Sequence, residues 1–262
     1  MPSERFDAVV VGGGPGGASA AGFLAKLGLR AAVLEKAHFP RYHIGESLLP
    51  STTLGILGKL GAGQKLREAG FVEKHGGTFV WGNRPEPWTF RFYRTGEADA
   101  QLAGERALVA PFVVDASGRG SPLARRVGQR HYDPFFKNVA IYRYYEGAER
   151  MPGELAGNIL CVAFAQGWFW FIPLANGLTS VGVVIAKRAF DEMNGKAMAP
   201  ADLFDQMVAQ APPIAERLVT AQPSQRAPYD EVRCDADYSY ITDRFAHDGI
   251  FLVGDSACFI DP

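Results

Sequence analysis

One stretch near the N-terminus constrains the fold more than any other: Asp7 to Glu35, DAVVVGGGPGGASAAGFLAKLGLRAAVLE. Ala8–Val11 is a short, β-branched apolar run of the kind that forms a buried parallel strand. It breaks into Gly12-Gly13-Gly14-Pro15-Gly16-Gly17, which satisfies G-x-G-x-x-G with Gly12, Gly14 and Gly17. Ala20, Phe23, Leu24 and Leu27 then recur at helical spacing until Gly28 stops the helix, and a second apolar run, Ala31–Leu34, ends at Glu35. Each part has a mechanical task. Gly12 makes the tight turn, Gly14 lets backbone approach a pyrophosphate, and Gly17 permits close helix–strand packing. Pro15 opens a helix whose first N–H groups lack intrahelical partners and so suit an anion. Glu35 stands where a carboxylate can accept hydrogen bonds from an adenosine ribose. A lone glycine motif is weak, because glycine-rich turns also serve purely steric ends. Strand, helix, second strand and terminal acid in register predict a dinucleotide site.

With 262 residues, 47% of them hydrophobic, the chain can bury one large domain or two smaller ones. A formal charge of −1 gives no electrostatic case for nucleic acid or for stable membrane association. Cys161, Cys234 and Cys258 are widely separated, with no metal spacing, which fits a reducing cytosol. His43 and His75 are single histidines, so no metal site is expected. No segment has the apolar length of a bilayer span. The expectation is a cytoplasmic protein.

Further along, Phe39-Pro40-Arg41-Tyr42-His43-Ile44-Gly45-Glu46-Ser47 reads as a loop in which Arg41 and Ser47 are candidates for polar contacts to the cofactor. Glu46 suits a structural pairing with Arg41. Short helices are expected over Thr52–Leu60 and Gln64–Ala69. Phe71–His75, Thr78–Trp81 and Trp88–Phe92 read as strands, and Phe112–Val114 as a buried strand running into Asp115-Ala116-Ser117-Gly118-Arg119-Gly120. Val139–Tyr145, Ile159–Ala165, Trp168–Ile172 and Thr179–Ala186 form a β-rich centre. In the third of these, alternation puts Trp168, Trp170 and Ile172 on one face and Phe169 and Phe171 on the other, and Pro173 ends it. Helices follow around Ala201–Ala209 and Pro213–Thr220. Strands at Tyr238–Ile241 and Ile250–Val253 precede Gly254-Asp255. The domain division is therefore discontinuous: 1–70, 108–130 and 231–262 in a nucleotide-binding layer, 71–95 and 131–230 in a sheet over the reactive end of the cofactor.

Three separated signals coincide. The glycine motif, the segment Asp115–Gly120 with Gly118, and Gly254-Asp255 resemble the three fingerprints of FAD-dependent oxygenases of the aromatic hydroxylase fold. Within that group the chain resembles flavin-dependent halogenases. Trp168-Phe169-Trp170-Phe171-Ile172-Pro173 matches their W-x-W-x-I-P signature, and Phe39-Pro40-Arg41…Ile44-Gly45-Glu46-Ser47 looks like their flavin-contacting loop. Lys74, before Gly76-Gly77, aligns with the lysine those enzymes use to handle hypohalous acid. The phenol or pyrrole, carrier-protein-dependent branch is the nearest in character. The resemblance implies an α/β fold, a Rossmann-like FAD-binding domain with an inserted β-sheet substrate domain. It also implies a longer segment than Gly96–Ala110 between positions like Thr95 and Pro111, so that the parallel sheet is expected to lack an inner member. Family chains also continue past Asp261-Pro262.

What the resemblance implies chemically is a two-component reaction. A separate reductase supplies FADH2, oxygen and chloride or bromide yield hypohalous acid, and Lys74 passes the halogen to a small, electron-rich aromatic substrate. Asp255 would hydrogen-bond the ribityl chain of FAD. Trp168 and Trp170 would keep the organic substrate away from the oxygenated flavin, although aromatics on a central strand are also ordinary core. The rivals are an FAD aromatic hydroxylase or a geranylgeranyl-reductase-like flavoprotein, which need neither W-x-W-x-I-P nor Lys74. A degenerate, flavin-free binding module is the non-enzyme alternative.

Overall fold

Four short parallel strands carry the smaller of the two main layers. The structure, a computed structural model, describes residues 4–39, 47–49, 53–82, 86–92, 108–193, 197–236 and 239–260. Ala8–Val11 lies between Ala31–Leu34 and Phe112–Asp115, and Ile250–Leu252 follows on the far side. The antiparallel pair Ala246–His247 closes that edge. Ala8, Val9 and Val10 are buried, as a β-branched run covered on both faces must be. The glycine-rich loop leads straight into the helix Pro15–Lys26, and Gly28, at φ 78°, turns the chain out of it. Ala8–Val11 hydrogen-bonds directly to Phe112–Asp115.

The larger layer is an eight-stranded sheet. Its order is Gln222–Pro223, Asn138–Glu146, Leu178–Ala186, Gly167–Pro173, Ile159–Phe164, Gly76–Val80 and Trp88–Arg91, with Arg233–Ala236 also paired to Asn138–Glu146. Strict alternation divides it. One face packs Ile141, Leu160, Phe169, Phe171 and Val183 against Leu203, Phe204, Met207 and Ile214 of the helices Pro200–Ala209 and Pro212–Leu218. Phe169 and Phe204 meet edge to face at 6.0 Å. Each such buried ring or branched chain contributes roughly 1.5–3 kcal/mol, so this face is the main core. The opposite face carries Ala140, Tyr142, Trp170, Ile172 and Val184.

A third sheet, Cys258–Phe259, Tyr240–Thr242 and Arg130–Tyr132, joins the two layers. Three expectations change. Phe71–His75 is irregular rather than a strand, because its would-be neighbour begins only at Ile159, after the turn Gly153–Gly157. Arg233–Ala236, assigned to the nucleotide layer, hydrogen-bonds the large sheet instead. The expected helix over Thr52–Leu60 contains a single π-turn, Thr53–Leu57, and the next helix is Gly63–Glu68. Among the described residues no helix is long and apolar enough to cross a membrane.

Candidate active site

Register brings the fingerprint loops together. Val11 pairs with Leu34 and Asp115, and Asp115 with Leu252, so the next residues, Gly12, Glu35, Ala116 and Val253, leave the sheet along one carboxyl edge. Ligands of open parallel sheets bind at such an edge. Gly12, at φ 103°, lies so close to the neighbouring loop that a β-carbon would stand 2.3 Å from the Ala116 carbonyl oxygen. A β-carbon on Gly17 would stand 1.9 Å from the Gly12 carbonyl oxygen. Both glycines are therefore demanded by packing. Gly14 is the residue before the helix, no side chain caps that helix, and Pro15 occupies its first turn. Glu35 accepts hydrogen bonds from the Gly13 N–H (2.8 Å) and the Ala37 N–H (3.0 Å), which holds the glycine loop to the end of the second strand.

The second and third loops are locked to each other. Asp115 is fully buried, and its carboxylate accepts from Ser117 N–H (3.0 Å), Ser117 Oγ–H (2.6 Å) and Ser121 Oγ–H (2.6 Å). That carboxylate shapes the loop of the second fingerprint. Its main-chain oxygen accepts from Val253 N–H (2.9 Å) and from the Ser256 hydroxyl. Ser256, fully buried, was given no role by sequence reasoning; its signal is a hydroxyl inside the Gly254-Asp255-Ser256-Ala257 run. Among the described residues nothing lies within 4 Å of a β-carbon on Gly118 (φ 84°) or Gly254 (φ 62°), which leaves open space beside both loops. Asp255, half-buried in the turn Gly254–Ser256, accepts the Tyr240 hydroxyl on its main-chain oxygen. An uncapped helix start, two close-packed glycines and open space beside two further loops along one edge fit an extended dinucleotide.

Lys74 stands at the margin of the other layer, half-buried, and donates to the Ser47 hydroxyl. Two residues singled out for separate reasons thus meet. The preceding segment sits on a turn that only glycine permits: a β-carbon at Gly157 would lie 2.2 Å from the Glu73 carbonyl oxygen. Burial pushes the Cys161 thiol up to about 11, against the pull of the Lys74 charge. Cys161 is the cross-strand partner of Trp170 and shares the face bearing the tryptophans.

Rings cross this face in series: Trp81 to Trp168 at 6.4 Å, Trp168 to Trp170 at 6.1 Å, and Trp170 to Tyr142 at 5.7 Å. Trp170, Ile172 and Pro173 are buried, and Trp168 is half-buried. Trp170 Nε1–H donates to Ser180 Oγ at 3.1 Å, the partner a buried indole needs. Phe79 stacks on Trp88 at 4.8 Å. Arg41, His43 and Glu46 lie outside the described residues.

The family model described as tryptophan halogenase matches residues 7–103 and 96–262. The junction of the two blocks falls in the stretch where the sequence is shorter than the resemblance implies. A tryptophan 2-halogenase of Chondromyces crocatus is 33% identical over 305 residues, covering 97% of this chain and 56% of the relative. A 1H-pyrrole-2-carbonyl-[peptidyl-carrier protein] chlorinase of Pseudomonas fluorescens is 28% identical, covering 100% of this chain and 72% of the relative. The solved structure of CndH, a myxobacterial chondrochloren halogenase of the FAD-dependent kind, superposes with a TM-score of 0.88 at 39% identity, over 100% of this chain and 70% of that one. The chain thus spans little more than half the length of the first of these relatives.

Proposed function

The chain belongs to the tryptophan halogenase family, and from that premise we propose that it transfers chlorine or bromine to an electron-rich aromatic ring, with FAD as cofactor and Lys74 as the catalytic amine. The observation that carries this reading is the position of Lys74: half-buried and tied to Ser47, just before the strand Gly76–Val80 that pairs with Ile159–Phe164. FAD held there and reduced by a separate reductase would react with molecular oxygen and so supply the oxidation of halide to hypohalous acid.

The chain's own residues do the rest. The glycine loop and the start of the helix Pro15–Lys26 offer N–H groups to the pyrophosphate. Glu35, the loop around Gly118 and the turn at Gly254-Asp255 bind the remaining length of the cofactor. The five-stranded layer accordingly holds the nucleotide, and the eight-stranded sheet shapes the compartment for the substrate. Trp168, Trp170, Ile172 and Pro173 present a dry wall that separates the aromatic substrate from the flavin. Ser47 fixes the direction of the Lys74 ammonium, which donates to the oxygen of hypohalous acid. As the ring carbon takes the halogen, that oxygen leaves as water with a proton from Lys74, and the ring proton passes back to the amine or to solvent. The substrate class we infer is a phenol or pyrrole, free or tethered to a carrier protein.

The test is product mass. With a flavin reductase, FAD, NADH, bromide and a phenol or pyrrole, a product bearing the bromine isotope doublet is expected. A mass gain of oxygen alone would make the protein an aromatic hydroxylase, the reading its nucleotide fingerprints share.

A further inference from the structure

We propose that Asp235 is a positioning residue that couples the loop carrying the second fingerprint to the indole of Trp170. The proposal rests on the flavin reading above and goes beyond it, since Asp235 belongs to none of the recognised motifs.

Asp235 lies on the edge strand Arg233–Ala236, and both of its oxygens are engaged. Oδ1 accepts from Arg119 Nη2–H at 2.6 Å, and Oδ2 accepts from the Tyr142 hydroxyl at 3.1 Å. These partners come from different layers: Arg119 follows Gly118 in the loop at the carboxyl edge, and Tyr142 stands in the large sheet. The ion pair is only about three-tenths exposed, with side chains at 29% and 28%, so it is screened far less than an ordinary surface pair. It is also a short charge-assisted bond, the stronger kind.

From Tyr142 the contacts run to Trp170, whose ring lies 5.7 Å away and tilted by 40°. The indole is held on its other sides by the Ser180 hydroxyl at 3.1 Å and by Gly182, on which it lies. From Arg119 they run the other way. Its carbonyl oxygen accepts from Arg130 Nη1–H at 2.9 Å, the Arg130 guanidinium lies 3.8 Å above the Tyr240 ring, and the Tyr240 hydroxyl donates to the Asp255 carbonyl oxygen. A continuous path of packed and hydrogen-bonded groups therefore joins two cofactor loops to one tryptophan, and Asp235 is the place where it changes layers. Spatial continuity alone does not establish coupling; a double-mutant cycle does.

The experiment uses the whole chain and variants Tyr142→Phe, Asp235→Asn and the pair together. FAD affinity is read by flavin fluorescence titration, and the change in tryptophan emission at saturating FAD is read beside it. Trp170→Phe identifies the share of that signal owed to Trp170. The account expects Trp170 to supply most of the wild-type response. Each single variant loses at least about half of it, the double loses no more than either single, and FAD affinity stays within about threefold. Full-sized responses in the single variants, additive losses in the double, or a wild-type response indifferent to Trp170→Phe would overturn the proposal. So would loss of FAD affinity in Tyr142→Phe, which removes one hydroxyl and marks mere structural support. Because the readout is fluorescence, a protein that binds FAD and shows the relay yet yields no halogenated product fails only the halogenation reading. A protein that binds no FAD fails both.

Discussion

The indole of Trp170 lies on Gly182 of the adjacent strand, where a β-carbon would come within 2.1 Å of the ring. The tryptophan signature thus depends on a glycine outside it. Gly182→Ala has no room to relax except by moving the indole, so it should cost about 1–3 kcal/mol of stability, the usual penalty of overpacking. It should also shift the tryptophan emission. Urea unfolding followed by fluorescence checks both, and an unchanged midpoint would contradict the packing described here.

Gly157 plays the same part for Lys74. Alanine there meets the Glu73 carbonyl oxygen at 2.2 Å and Val72 Cγ1 at 2.9 Å, and the segment leading into Lys74 must lift. Halogenated product should fall by tenfold or more, on the order of 1.4 kcal/mol in barrier, with FAD affinity nearly unchanged because the nucleotide loops are elsewhere. Parallel loss of FAD affinity would show that the two layers do not act separately.

Ser256 joins the third loop to the second through the Asp115 carbonyl oxygen, and its hydroxyl also accepts the Val253 N–H at 2.9 Å. Ser256→Ala removes one of the hydrogen bonds between the two loops and leaves the Val253 N–H as partner of the Asp115 carbonyl oxygen, at a cost of about 0.5–1.5 kcal/mol. Weaker FAD binding in an equilibrium titration is expected, since the loops would separate. Wild-type affinity would mean that the two fingerprints hold their places independently.

Much of this was legible beforehand, for a physical reason. Glycine needs and period-two alternation are local properties, so the turn at Gly12, the strand Ala8–Val11 and the two faces of Gly167–Pro173 follow from neighbouring residues. The bond between Lys74 and Ser47 is not local: it joins irregular segments 27 residues apart. Asp235 carries no motif, and only the pairing of Arg233–Ala236 with Asn138–Glu146 brings it to Tyr142. Phe71–His75 has strand-like residues, but the ladder with Ile159–Phe164 begins only at Gly77, and that register cannot be seen in a single segment.

Alkaline pH should weaken the fold. Burial pushes Tyr145 and Tyr240 up to about 12 and Cys161 up to about 11. The unfolded chain releases the same protons near about 10 and about 8.5. Above about pH 8.5 the unfolded state therefore holds fewer protons than the native state, and stability declines with rising pH until the native groups ionise. Below that window both states keep these protons and the groups contribute no slope. Urea midpoints at about pH 8 and about pH 10.5 should differ in that sense, and Tyr145→Phe should lessen the difference. A midpoint that rises with pH would contradict it.

The most direct measurement is made on Lys74→Ala, with halogenated product and the reoxidation of reduced FAD by oxygen followed together. The account predicts that product falls by more than about 100-fold, the scale of a lost acid–base group, while reoxidation continues at close to the wild-type rate. Halogenation retained in that variant would contradict the role given to the Lys74 amine.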